Sequence, residues 1–143
     1  MKPTDTPIGF LLNQVSKKTA RAFDDALAAG GGSLPVWLIL LSLVREGSCT
    51  HAQLAAHVGI RGPTLTHHLD ALEERGLITR ERVADNRRAQ IANLTPDGVA
   101  LFHRLRKTAQ SFDARLRGGF TERELSDLRR LLRKIGSNFP DAD

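Results

Sequence analysis

The stretch between Gly47 and Gly76 constrains the fold most, because it presses two short helices against each other around a tight turn. Gly47 and Ser48 break the preceding segment, and Thr50 is placed to cap a helix over residues 52–57, with Gln53 near the third helical position. Gly59 supplies the turn, and Pro63 suits the first position of a second helix over residues 64–75 that stops at Gly76. Leu54, Ala55 and Val58 anchor the first helix. Leu65, Leu69 and Leu72 anchor the second at i, i+4, i+7, which leaves Thr64, His67, His68 and Ala71 on another face. Two helices joined in this way, the second with a polar and small-residue N-terminal half, suit a helix-turn-helix whose second helix enters the major groove. Threonine hydroxyls and histidine nitrogens can bond to base edges or phosphates there. The competing reading is a three-helix core with a solvated polar face.

Residues 78–83 and 89–94 alternate as strands on either side of the polar turn Ala84-Asp85-Asn86-Arg87-Arg88. Arg80, Arg82, Arg87 and Arg88 stand against Glu81 and Asp85 on this hairpin. Arginines on a ribbon beside a reading helix reach phosphates or the adjacent minor groove, whereas the bland alternative is a solubilising surface hairpin. The expected fold class is therefore mainly α with a small β wing: a winged helix-turn-helix with a two-stranded wing. Residues 51–95 as a whole carry six arginines against five acids, so the case for DNA rests on where the arginines stand. The chain's formal charge of +5 adds little to it.

Long apolar helices flank this segment. Residues 8–28 place Ile8, Leu12, Val15, Ala22, Phe23, Ala26 and Leu27 near helical spacing, and Gly30, Gly31 and Gly32 end that helix. Ser33 and Pro35 then open a helix over residues 36–45 that is apolar nearly all round and so reads as buried. Thr95 caps a further helix whose stripe is Leu101, Phe102, Leu105, Ala109, Phe112 and Leu116, and Gly118 and Gly119 close it. A last helix opens on a Thr121/Glu124 capping box and carries Leu125, Leu128, Leu131, Leu132 and Ile135. Phe10, Leu11, Phe112, Leu116, Phe120, Leu128, Leu132 and Phe139 are more apolar surface than one small winged domain can cover, which predicts a homodimer. A two-fold axis would set the reading helices about 34 Å apart, one DNA turn. The ten basic and four acidic residues of 104–134 read mainly as the solvated face of these helices.

The motifs Gln53-Leu54-Ala55, Val58-Gly59-Ile60, Leu69-Asp70-Ala71-Leu72-Glu73-Glu74-Arg75-Gly76-Leu77-Ile78, Asn86-Arg87-Arg88 and Leu94-Thr95-Pro96-Asp97-Gly98 resemble the MarR (multiple-antibiotic-resistance regulator) family of bacterial transcription factors. The resemblance implies one domain over residues 1–143, with residues 34–98 as the DNA-binding lobe and residues 8–28 and 96–136 as interlocking dimerisation helices. It implies a cytoplasmic, ligand-responsive repressor on a palindromic double-stranded DNA operator. The helix at Thr64 would enter the major groove and the wing the minor groove. The expected DNA-binding set is Thr50, Gln53, Arg61, Gly62, Pro63, Thr64, Thr66, His67, His68, Arg80, Arg82, Arg87 and Arg88. The family's wing carries an aspartate two residues before its inserting arginine. Here Arg88 is the inserting residue and Asn86 takes the aspartate's place, so either Asp85 or Asn86 positions the wing. A pocket for a small aromatic or phenolic effector is implied between the dimer helices and the reading lobe, with Phe10, Trp37 and His51 as lining residues.

Other chemistries find little support. The five histidines (His51, His57, His67, His68, His103) match no standard metal spacing beside a single cysteine, and no metal or cofactor is expected. Cys49 allows no intrachain disulfide and reads as a small buried residue. The apolar run over residues 34–44 is far shorter than the roughly 20 residues of a membrane span. The N-terminus lacks the basic-then-apolar design of a secretory signal. No nucleophile–base set or carboxylate pair is placed on a cleft, so no enzyme is expected. The runner-up function is a winged-helix module used for protein interaction.

Overall fold

In the computed structural model, which describes residues 5–83 and 86–141, the core is organised around α2 (Leu34–Glu46). Its start is fixed locally: the Ser33 hydroxyl accepts a hydrogen bond from the Val36 amide at 3.3 Å, and Pro35 needs no amide partner in the first turn. Asp24 of α1 (Ile8–Ala29) accepts from the Leu34 amide at 2.8 Å and ties the two helices together at this corner. Because α2 is apolar on nearly every side, it buries Val36, Trp37, Ile39, Leu40 and Leu43. The Ser42 hydroxyl, also buried, donates to the Leu38 carbonyl at 2.8 Å.

After Gly47 come β1 (Ser48–Thr50), α3 (His51–Val58), α4 (Gly62–Glu74), β2 (Ile78–Val83) and β3 (Asn86–Leu94). The strands form an antiparallel sheet in the order β1-β3-β2, with Cys49 opposite Ala92 and Arg80 opposite Ala92 from the other side. β2 and β3 are the expected strands; β1 is an addition to them, and β3 begins three residues earlier than its sequence pattern suggests. It also started α4 at Thr64, whereas the helix begins at Gly62 and Pro63 lies within its first turn. α3 carries the expected capping box: the Thr50 hydroxyl accepts from the Gln53 amide at 3.2 Å, and the Gln53 side chain accepts from the Thr50 amide at 2.9 Å.

α5 (Pro96–Leu116) adds Leu101, Phe102 and Leu105 to the core, with the Phe102 ring stacked on Trp37 at 5.4 Å and 5°. Its first turn presses on the chain leaving α4. The Thr95 amide donates to the Leu77 carbonyl at 3.1 Å, the Thr95 hydroxyl donates to the Gly76 carbonyl at 2.6 Å, and the Gly98 amide donates to that hydroxyl at 3.1 Å. Arg104 is spent on the fold, its Nε donating to the Gly30 carbonyl at 2.9 Å.

The chain divides into two compact units, Met1–Ala109 and Gln110–Asp143. The second holds the end of α5 and α6 (Glu122–Ser137) and buries Phe112 and Leu125. Its Thr121/Glu124 capping box is closed at 3.0 and 3.1 Å. Phe112 therefore leaves the set of surplus apolar residues, while Leu116, Phe120, Leu128, Leu132 and Phe139 are exposed as expected and Leu131 joins them. In the first unit Ile8, Phe10, Leu11, Leu12 and Val15 of α1 are exposed too. No single helix among the described residues is long and apolar enough to cross a membrane.

Candidate nucleic-acid interface

α4 is held by one side. Leu65, Leu69 and Leu72 are buried, and the opposite face carries exposed Thr64, Thr66 and His67 with half-buried His68. The His67 and His68 rings lie 6.0 Å apart, tilted by 59°. The helix enters through Arg61, which makes no side-chain cap, and Gly62, whose φ of +53° lies where glycine is favoured. Arg61, Gly62 and Pro63 are all exposed at this entry.

Two expected DNA-facing threonines have local duties. Thr50 is bound up with Gln53 in the cap of α3. The Thr66 hydroxyl donates to the Gly62 carbonyl at 3.3 Å, one turn back, and lies 3.3 Å from His51 Nε2. A hydroxyl has one proton; with that proton on Gly62, His51 Nε2 is the donor in the second contact. His51 thus braces the first turn of α4 from the start of α3.

The hairpin arginines separate into different roles. Arg82 is exposed on β2 opposite Gln90. Arg80 folds back onto α4: Nη2 lies 2.6 Å from Asp70 Oδ1 and 3.1 Å from Glu73 Oε1, and Nε lies 3.2 Å from Glu73 Oε2. Its side chain is only 17% exposed, so Arg80, expected in the DNA-binding set, is engaged by two carboxylates of α4. The Arg80 hydrogen bonds hold the Glu73 carboxyl below the usual carboxylate range, and the same contacts raise the Arg80 pKa further. The sequence reading does not single out Asp70 and Glu73 as partners of Arg80; their signal is a pair of acids one turn apart on α4, ahead of an arginine in the next strand. Asp85 lies outside the described residues, as do the side chains of Asn86, Arg87 and Arg88, whose backbone opens β3.

The three residues expected to line an effector pocket have separate surroundings. Trp37 is 8% exposed against Phe102, Phe10 is exposed on α1, and His51 contacts Thr66. His51 lines a cavity of about 20 Å³ with Cys49, Leu54, Leu69, Arg80, Gln90 and Ala92, a space the size of one water. Cys49 is buried, with Sγ 3.9 Å from the Ser42 carbonyl. Burial pushes its thiol pKa up, and the Glu46 charge adds to the rise. Among the described residues no group of three or more His, Cys, Asp or Glu side chains could hold a metal ion.

The MarR-family profile matches residues 33–89, the span from the cap of α2 into β3. The chain is 37% identical to the transcriptional regulator PA3341, covering 92% of this chain and 97% of that one with a TM-score of 0.78. The chain belongs to the MarR family. Among its relatives is the HTH-type transcriptional repressor Rv2887 of Mycobacterium tuberculosis, 29% identical over 94% of this chain and 96% of that protein. The fold is also that of Bordetella bronchiseptica BpsR, whose DNA binding is regulated by 6-hydroxynicotinic acid. That structure is 23% identical, has a TM-score of 0.81, and covers 90% of this chain and 98% of its own. The winged helix-turn-helix expected from the sequence is thus the observed fold class, with β1 as a third strand.

Proposed function

We propose that the protein is a homodimeric, cytoplasmic repressor that reads a palindromic operator and releases it when a small aromatic or phenolic effector binds. The observation that carries this reading is the open face of α4, Thr64 and His67 above all, offered by a helix whose other side is anchored by three buried leucines. Arg61, Gly62 and Pro63 would lie at the groove edge, His68 beside the reading face, and Arg82, Arg87 and Arg88 on the wing, with Asp85 or Asn86 orienting Arg88. Thr50, Gln53, Thr66 and Arg80 would act from behind, through the geometry of α3, α4 and β2. Dimerisation is supported by the exposed apolar residues of α1, in one unit, and of α6, in the other. They fit the division into a reading lobe over residues 34–98 and dimerisation helices over 8–28 and 96–136. The effector is supported by the regulation of BpsR's DNA binding by 6-hydroxynicotinic acid. Phe10, Trp37 and His51 remain its candidate contacts.

The test is selection of bound sequences from random duplex by the purified chain. Half-sites about one helical turn apart are expected. Affinity for the selected duplex should fall about tenfold in Arg88→Ala and in Thr64→Ala/His67→Ala, and steeply with added salt. Duplex binding indifferent to both variants sinks the reading. Recovery of no preferred sequence favours the protein-interaction module.

A further inference from the structure

Asp70 and Glu73 sit one turn apart on α4, and Arg80 reaches them from β2. The exposures are unequal: 17% for the Arg80 side chain against 59% for Asp70 and 43% for Glu73. The arginine is the desolvated member, laid between the helix and the sheet, and the carboxylates hold it from outside. Its Nε and Nη2 form a fork on Glu73, and Nη2 also serves Asp70. A planar guanidinium makes this side-on fork from two nitrogens; a lysine, whose three donors share one nitrogen, cannot reproduce it.

The place of the contact matters. Among the described residues these are the ion pairs that join α4 to the hairpin. Arg80 pairs with Ala92 at the root of the ribbon, while Val83 and Asn86 pair towards its far end. A small rotation at the root is multiplied along the hairpin, so whatever fixes the root sets where the wing arginines arrive relative to the reading helix.

We propose that Arg80 is a positioning residue for DNA reading: by gripping Asp70 and Glu73 it fixes the angle between α4 and the β2–β3 wing, so that both meet the duplex as one piece. This rests on the DNA-binding function proposed above. It assigns Arg80 a different task from a phosphate contact, because its Nε and Nη2 protons are already directed at carboxylates. The two tasks make opposite demands on the acids. If Arg80 served phosphate, removing the negative charges of Asp70 and Glu73 would free it and tighten binding to any duplex. If Arg80 positions the wing, the same change removes the grip and loosens specific binding although the chain becomes more positive.

The experiment uses the full chain and three variants, Arg80→Lys, Arg80→Gln and Asp70→Asn/Glu73→Gln, at a temperature where circular dichroism finds each folded. The probes are a labelled duplex recovered by the wild type from random sequence and a scrambled duplex of equal composition. Each variant is expected to lower the selected-to-scrambled affinity ratio about tenfold, the worth of one good base contact. The salt dependence of Arg80→Gln should match the wild type, and amide exchange over residues 82–91 should quicken without DNA. A merely structural arginine would change the melting point and leave the affinity ratio of the folded protein alone. An unchanged ratio in the three variants overturns the proposal while leaving the DNA reading intact. So does a salt slope reduced by about one in Arg80→Gln together with tighter binding by the double variant, the signature of a phosphate contact. A wild type that prefers no duplex overturns the DNA reading, and the positioning role falls with it.

Discussion

Replacing Gly98 by alanine sets helix propensity against tertiary packing, and the two predict opposite signs. Gly98 occupies the first turn of α5, where alanine is the better helix former by up to about 1 kcal/mol. Its φ is not in the left-handed region, so backbone conformation raises no objection. Space does: a Cβ at this position would run into the Leu77 carbonyl oxygen and stand 3.0 Å from Leu94 Cδ2 and 3.1 Å from the Leu77 carbonyl carbon. The Leu77 oxygen cannot simply withdraw, because it accepts the Thr95 amide at 3.1 Å while the Thr95 hydroxyl grips the adjacent Gly76 carbonyl. Overpacking against fixed atoms costs about 1–3 kcal/mol, so the net expectation for Gly98→Ala is a loss of about 1–2 kcal/mol after the propensity gain. Urea unfolding monitored by circular dichroism, at equal protein concentrations because a dimer's stability depends on them, should give a midpoint lower by roughly 0.5–1 M with an unchanged slope. The Thr95 amide, bonded to the displaced carbonyl, should lose exchange protection. A variant as stable as the wild type or more so, with Thr95 still protected, would refute the claim that this close approach is why a glycine stands here.

Three further outcomes follow from local contacts. Thr121→Ala opens the α6 capping box and should cost about 1 kcal/mol in the same urea assay. Cys49 should react with a thiol reagent on the order of a hundredfold more slowly in the folded chain than in urea, because burial keeps its thiol protonated and covered; fast native labelling would contradict that burial. Arg80 lowers the Glu73 pKa, so the pair's contribution to stability is fully present at neutral pH and is lost as pH falls below about 4.3, the usual glutamate value. The fall of melting temperature with pH through that range should accordingly be shallower in Arg80→Gln than in the wild type.

Much of this architecture could be read from residues a few positions apart. The Ser33 cap, the Thr50/Gln53 and Thr121/Glu124 boxes and the leucines of α4 depend on i, i+3 and i, i+4 geometry, which a helix imposes wherever it lies. β1 was not legible: three residues make a strand only because residues 91–93 of β3 lie alongside them, some forty positions away. Phe10, Trp37 and His51, the pocket residues implied by the family resemblance, have separate neighbours in the fold.

The hairpin makes the same division within a few residues. Four arginines in and around a polar turn are equivalent as a string, and the string alone identified a basic wing beside a reading helix. The crossing of β2 over α4 then gave Arg80 two carboxylates to hold and left Arg82 exposed. Sequence by itself therefore determined the helices, their caps, the turn and the family, all set by short-range stereochemistry and pattern. Only the tertiary structure decided which polar side chains the fold consumes and which it offers, because that depends on distances between elements that no local spacing specifies.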